Sequence, residues 1–387
     1  MRKVAIVGLG QTPVREHWGS NLRDLAVTAL RDAMEDAGVE TLDGVTVGNM
    51  LSGALSEQEH LGALIADYAG LEGVEGMKIE AACGSGAAAI RMAVKAVASG
   101  LMDSVGVVGV EKLTEFSGKF STASLATAAD ADYEITMGLS FVGINALLMR
   151  RYLHDYNYDR NDFAIFPVNA HHNAQYNPNA MFRHPITAEQ YAKSKIIADP
   201  INILDSSPIA DGAAALIVVA QENLSQFKGK PISILACEVG TDTVALDNRE
   251  ELLWLKGAER SVKKAYHVSG LSVKDIDFYE PHDAFSIMTA LSMEASGFAE
   301  KGQAIKFADK VDIGLKGKLP LNVCGGLKGR GHPVGATGVY QVVEAAQQIR
   351  GEVPPELQLE RNHIGMIQNI GGSGATVITT ILKKIGK

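Results

Sequence analysis

Cys83 stands in the run Ala82-Cys83-Gly84-Ser85-Gly86, between an apolar stretch and a helix-forming one. A thiol that ends a strand in a glycine turn opening a helix sits where backbone N–H groups and the helix dipole favour its thiolate. Such a thiolate is a nucleophile for a carbonyl carbon. A cysteine in an arbitrary setting is a small buried thiol, and it is the turn that distinguishes this one. His332, in Gly331-His332-Pro333-Val334-Gly335, follows a glycine-rich loop and precedes another helix-forming stretch. A histidine there can serve as base to a thiol, against the plainer alternative of a capping or core residue. A third polar cluster, Pro281-His282-Asp283, ends an apolar stretch in the same half of the chain.

Elements must hold these residues, and the two ends of the chain repeat one another when laid side by side. A strand at 3–7 and an amphipathic helix at 22–37 correspond to a strand at 232–236 and a helix at 257–266. Strands at 45–49 and 276–280 follow. Next come a strand at 78–82, the Cys83 turn and a helix at 87–99. The second half repeats this with a strand at 319–323, a longer glycine loop carrying His332 and a helix at 336–349. Cys83 and His332 thereby occupy equivalent positions. Strands at 104–108 and 364–369, then 213–219 and 375–382, close the two units. Between 112 and 208 a segment rich in Tyr, Asn and His is too long for a plain connection. The expected organisation is one half from 1–112 plus 203–228, a loop domain inserted at 113–202, and a second half at 229–387.

A chain of 387 residues accommodates two such halves. With 46 % hydrophobic and 21 % charged residues it reads as a compact α/β enzyme and excludes a disordered chain. A net charge of -9 argues against a nucleic-acid or membrane-surface binder, so an anionic substrate needs a local basic patch. Arg183, Lys193, Lys195, Lys328 and Arg330 are the candidates near the expected site. The three cysteines form no CxxC pair, which excludes a disulfide framework and suits a reducing compartment such as the cytoplasm. The apolar run at 4–7 is too short for an export signal, and that at 213–220 is too short to span a bilayer. His171-His172 with His184 makes no metal motif, and Pro13 spoils a dinucleotide loop after Gly8-Leu9-Gly10, so neither a metal nor a dinucleotide is expected.

Taken together, Ala82-Cys83-Gly84-Ser85-Gly86, Glu280-Pro281-His282-Asp283-Ala284-Phe285, the run from Gly331 to Gly338 and Asn369-Ile370-Gly371-Gly372-Ser373-Gly374 resemble the thiolase superfamily. The motifs occur in the family's order and span nearly the whole chain. The resemblance implies an α/β thiolase fold, with two duplicated βαβαβαββ halves in a five-layer αβαβα arrangement and an inserted loop domain. It implies acyl transfer through acyl-Cys83 with His332 as base. An oxyanion hole from the N–H groups of Cys83 and Gly371 would hold the acyl-enzyme carbonyl, and His282 with His332 the enolate of a second thioester. Coenzyme A thioesters would be substrate and product, with no covalently bound cofactor.

The chain also departs from its resemblance. Asn369 stands where the best-known thiolases carry a second cysteine, and Ala284 stands where sterol-carrier-type thiolases carry one. The acceptor of the α-proton is therefore open between Cys324 and the two histidines. These absences are similar to archaeal acetoacetyl-CoA thiolases. That likeness implies condensation of two acetyl-CoA to acetoacetyl-CoA for the mevalonate pathway and a homodimer or homotetramer. It also implies a complex with hydroxymethylglutaryl-CoA synthase and a small zinc-ribbon/OB-fold scaffold protein. The alternatives are a 3-ketoacyl-CoA thiolase of lipid degradation, another condensing enzyme of the superfamily, and a non-catalytic lipid carrier or scaffold. The presence of Cys83 and His332 argues against the last.

Overall fold

The computed structural model describes residues 2–386. Among the described residues the eleven strands are β1 Val4–Gln11, β2 Gly44–Gly48, β3 Glu75–Ile79, β4 Ser104–Glu111, β5 Ile196–Ala198, β6 Ile201–Asn202, β7 Gly212–Ala220, β8 Ile232–Thr241, β9 Phe278–Glu280, β10 Ile364–Gly371 and β11 Thr376–Lys384. Nine of them form one mixed sheet in the order β3-β2-β4-β7-β1-β8-β11-β10-β9. The halves meet where Val4, Ala5 and Ile6 pair antiparallel with Ile234, Ser233 and Ile232. Outward from that seam the two sides correspond: β1 to β8, β7 to β11, β4 to β10 and β2 to β9. In each half the last of these pairs is parallel, as a βαβ crossover requires. The duplication read from the sequence is thus present in the strand order.

Four helices carry the layers: α1 Leu22–Ala37, α2 Ser85–Ser99, α3 Lys256–Ser269 and α4 Thr337–Arg350. Side chains alternate across a strand, and here the alternation sorts them between layers. In β7, Ala214, Leu216 and Val218 face the core that contains α2 and α4. Ala213, Ala215, Ile217 and Val219 face the outer core with α1. In β11, Ile378 and Leu382 face the α2–α4 core, while Val377 and Ile381 face the core with α3. The result is helix, sheet, helix pair, sheet, helix. Because α4 lies between the two halves of the sheet, it is buried almost all round.

At the centre the starts of α2 and α4 touch through backbone. A Cβ on Gly86 would lie 3.0 Å from Val339 N and 3.2 Å from Gly338 N, so glycine is needed there for the approach. This contact brings the Cys83 and His332 turns together.

One expected strand is missing. Residues 319–323 are reduced to a single bridge between Leu321 and Tyr279, because Asn322 turns to φ 50° and takes the chain off the sheet edge. Likewise β3 stops at Ile79, before the turn at Ala82 with φ 53°.

Between β4 and β7 the chain leaves the sheet through the helices Phe141–Tyr156 and Ile165–Ala174 and the hairpin of β5 and β6. One buried carboxylate ties exit to re-entry. Asp211 accepts from Leu113 N at 2.7 Å, Thr114 Oγ1 at 2.6 Å and Lys112 Nζ at 3.3 Å. Among the described residues no helix is long and apolar enough to cross a membrane.

Candidate active site

Cys83 sits in a tight turn built by its neighbours. Ser85 Oγ donates to Ala82 O at 2.6 Å and accepts from Ala81 N at 2.9 Å, and Gly84 N donates to Ala81 O at 3.0 Å. These bonds hold Ala82 in the left-handed region, a strained conformation for a residue with a side chain. The turn places Cys83 in the wall of a cavity of about 140 Å³. His282 and His332 also line that cavity, with Leu125, Phe141, Met288 and Phe285 among its apolar walls. Donor atoms of Cys83, His282 and His332 all lie within 4.8 Å of one another. The structure therefore assembles the three residues that the sequence singled out from three separate turns.

Each imidazole is held by its Nδ1. His332 Nδ1 lies 2.7 Å from Thr337 Oγ1, which also lies 3.3 Å from Pro333 O. With the hydroxyl donating to Pro333 O, its oxygen accepts from Nδ1–H, and Nε2 of His332 then carries the lone pair. His282 Nδ1 lies 3.0 Å from the amide nitrogen of Asn369. Burial first, then the neighbouring His282, Arg330 and Lys328, hold His332 well below the ordinary histidine range. Burial, with Arg330 and Lys328, pushes His282 down to about 3. Both rings are neutral near pH 7.

The thiol departs from expectation. Burial, then Glu111, pushes Cys83 up to about 12, and hydrogen bonds from the N–H groups of Cys83 and Gly372 only partly oppose them. The turn donors are present, but loss of solvent outweighs them. The resting site is a neutral thiol beside neutral imidazoles, poised for proton transfer during attack rather than carrying a preformed thiolate.

Glu111 escaped the sequence reading, although it is the lone acid ending the apolar run of β4. Its carboxylate accepts from Met50 N at 2.9 Å, Leu51 N at 3.1 Å, Asn49 Nδ2 at 2.9 Å and Gly335 N at 3.0 Å. It thereby clamps the His332 loop to the loop after β2. Burial raises its pKa to about 7 despite these donors. Thr337 was visible only as part of a motif, and nothing in its type announced its contact with His332.

Gly371 closes the β10 ladder opposite Thr376, beside the Cys83 turn, and a Cβ on it would collide with Ala81 O. Cys324 does not line the cavity. It is buried in the α2–α4 core, and burial followed by Glu344 and Glu280 holds its thiol well above the usual range. Lys328 and Arg330 do not offer a phosphate patch either. Both are 1 % exposed or less, Lys328 donating to Asp283 O and Arg330 pairing with Glu344 at 2.7 Å. Their cationic heads are spent on buried carboxyl and carbonyl groups. Arg183, Lys193 and Lys195 are exposed, and Lys193 pairs with Glu189 at 2.6 Å. None of the three lines the cavity.

Residues 4–222 match the family profile "Thiolase, N-terminal domain", and residues 239–384 match "Thiolase C-terminal domain-like". The chain is 40 % identical over 386 residues to the acetyl-CoA acetyltransferase of Methanothermobacter thermautotrophicus, covering 99 % of this chain and 100 % of that protein. It is 30 % identical to human sterol carrier protein 2, covering 100 % of this chain and 72 % of that one. In fold it resembles the solved Ltp2-ChsH2(DUF35) aldolase, with a TM-score of 0.86 at 24 % identity over 99 % of this chain and 98 % of that one. The profile matches, the full-length similarity and the assembled Cys83, His282 and His332 agree: the chain belongs to the thiolase family and is an enzyme that handles coenzyme A thioesters.

Proposed function

We propose that the chain is an acetyl-CoA C-acetyltransferase that condenses two acetyl-CoA to acetoacetyl-CoA and free coenzyme A. The observation that supports this most is the thiol of Cys83 facing two neutral imidazoles in one apolar cavity. The near full-length similarity to an archaeal acetyl-CoA acetyltransferase points to the same reaction.

In this reading Cys83 Sγ attacks the thioester carbonyl while His332 Nε2 takes the thiol proton. His332 returns that proton to the departing coenzyme A thiolate, leaving acetyl-Cys83. The carbonyl oxygen of the acyl-enzyme faces the N–H groups of Cys83 and the Gly371-Gly372 turn. His332, neutral again, removes an α-proton from the second acetyl-CoA. The enolate carbon then attacks acetyl-Cys83, and the thiol is reprotonated as acetoacetyl-CoA leaves. Among the described residues the cavity offers no second thiol for these proton transfers.

The test is product analysis with acetyl-CoA as sole substrate. Acetoacetyl-CoA and one equivalent of coenzyme A support the assignment. Turnover of longer 3-ketoacyl-CoA alone would replace it with the degradative thiolase. By the same similarity we propose a homodimer or homotetramer, acting in the cytoplasm, with the boundaries of the inserted loop domain at 113–202. A complex with hydroxymethylglutaryl-CoA synthase and a zinc-ribbon/OB-fold scaffold belongs to the same proposal. A native pull-down recovering neither partner contradicts that last element.

A further inference from the structure

The amide of Asn369 is fully buried at the end of β10, and its nitrogen lies 3.0 Å from His282 Nδ1. An amide nitrogen only donates, so the ring nitrogen it meets must accept. The orientation of the amide has a second support. Although Oδ1 has no hydrogen-bond partner among the described residues, it lies close to where the first turns of α2 and α4 meet. A Cβ on Gly338 would collide with both Oδ1 and the N–H of Ala87. The positive ends of two helices favour oxygen at that place and disfavour the NH₂ group.

We infer that Asn369 is a positioning residue that fixes His282 in its Nε2–H tautomer, so that His282 meets substrate as a hydrogen-bond donor and His332 alone of the pair acts as base. Thr337 fixes the opposite tautomer in His332, since its oxygen accepts from Nδ1–H. The two rings are thereby made chemically different by their partners. A donor is what a developing enolate oxygen needs, and a second lone pair there would repel it. The inference rests on the acyl-transfer reading for its catalytic meaning, although the tautomer itself is independent of it. The charged or titratable groups facing His282 are His332, Cys83, Arg330 and Lys328. Burial and the two cations keep the ring neutral.

The experiment is a long-range ¹H–¹⁵N correlation on protein labelled in its 10 histidines, with the His282 signals identified by their loss in His282→Gln. Wild type is expected to show the Nε2–H pattern, unchanged from pH 6 to pH 9. In Asn369→Asp the carboxylate accepts from Nδ1–H. The pattern should change to Nδ1–H at high pH and to imidazolium at low pH. Condensation should fall by roughly 10²–10³ at high pH, as when one oxyanion donor is removed. Activity should recover in part as pH falls, because the imidazolium again presents Nε2–H, and acetyl-Cys83 should still form. If the buried carboxylate prevents folding, Asn369→Leu carries the test: mixed His282 tautomers and the same loss, without recovery at low pH.

An Nδ1–H pattern in wild type overturns the inference. So does an Asn369→Asp enzyme that keeps the wild-type pattern, rate and pH profile. The expected patterns in an enzyme that never forms acetyl-Cys83 would sustain the tautomer assignment and remove the acyl-transfer reading instead.

Discussion

The ring of His282 meets the ring of His332 nearly edge-on, with centroids 5.1 Å apart and planes at 81°. Two imidazoles this close in a buried cavity cannot both be cations, and each discourages protonation of the other. They therefore divide the chemistry by position. Replacing His332 by Asn should slow both acyl-Cys83 formation and condensation by about 10²–10⁴, as for loss of a general base. Replacing His282 by Ala should leave the acyl-enzyme able to form while condensation falls by about 10²–10³. Single-turnover mass analysis beside a steady-state assay separates the two. Equal loss of both steps in both variants would contradict the division.

Thr337 offers a test that leaves the histidines in place. Thr337→Val keeps the side-chain shape and removes the acceptor of His332 Nδ1–H. A buried hydrogen bond lost on one side costs about 1–3 kcal/mol, so kcat/KM should fall by roughly 10- to 100-fold with little change in KM. A variant with wild-type kcat would show that the ring needs no such orientation.

The resting thiol gives a prediction in pH. With the Cys83 pKa near 12, only the small thiolate fraction reacts with iodoacetamide, and that fraction grows tenfold for each unit that the pH rises toward the pKa. Alkylation of Cys83 should therefore rise steadily through pH 9 without a plateau. Glu111→Gln removes the carboxylate that opposes the thiolate, so its pKa falls and alkylation at fixed pH should be faster. A plateau below pH 8 in the wild type would indicate a preformed thiolate.

Arg330 and Glu344 form a pair with both side chains almost entirely out of solvent. Arg330→Met leaves Glu344 buried without its cation and should cost about 3–5 kcal/mol of stability in denaturant unfolding. The double variant Arg330→Met with Glu344→Leu should recover most of that loss and keep the wild-type KM for acetyl-CoA. A raised KM in a stable double variant would return Arg330 to the substrate site.

Much of this site could be read in the sequence because the duplicated elements carry strong local signals. Helix Leu22–Ala37 begins at Asn21 and ends at Gly38, the capping residues that sequence rules look for. The Cys83 and His332 turns were marked by their glycines. What could not be read depends on burial. Lys328 and Arg330 have the residue types of a phosphate patch, and only their buried partners, Asp283 for Lys328 and Glu344 of α4 for Arg330, turn both inward. The Cys83 turn carries the expected N–H donors, yet desolvation and Glu111 decide its protonation. Asn369 was legible only as the absence of a cysteine, because its partner His282 lies 87 residues away in sequence.

The most direct test of the account is the intact mass of the protein after mixing with acetyl-CoA, for wild type and for Cys83→Ala. A single acetyl adduct is expected on wild type, absent from the variant and discharged as acetoacetyl-CoA when more acetyl-CoA is supplied. Acetoacetyl-CoA formed by Cys83→Ala, or an adduct that persists in it, would contradict the central place given to Cys83.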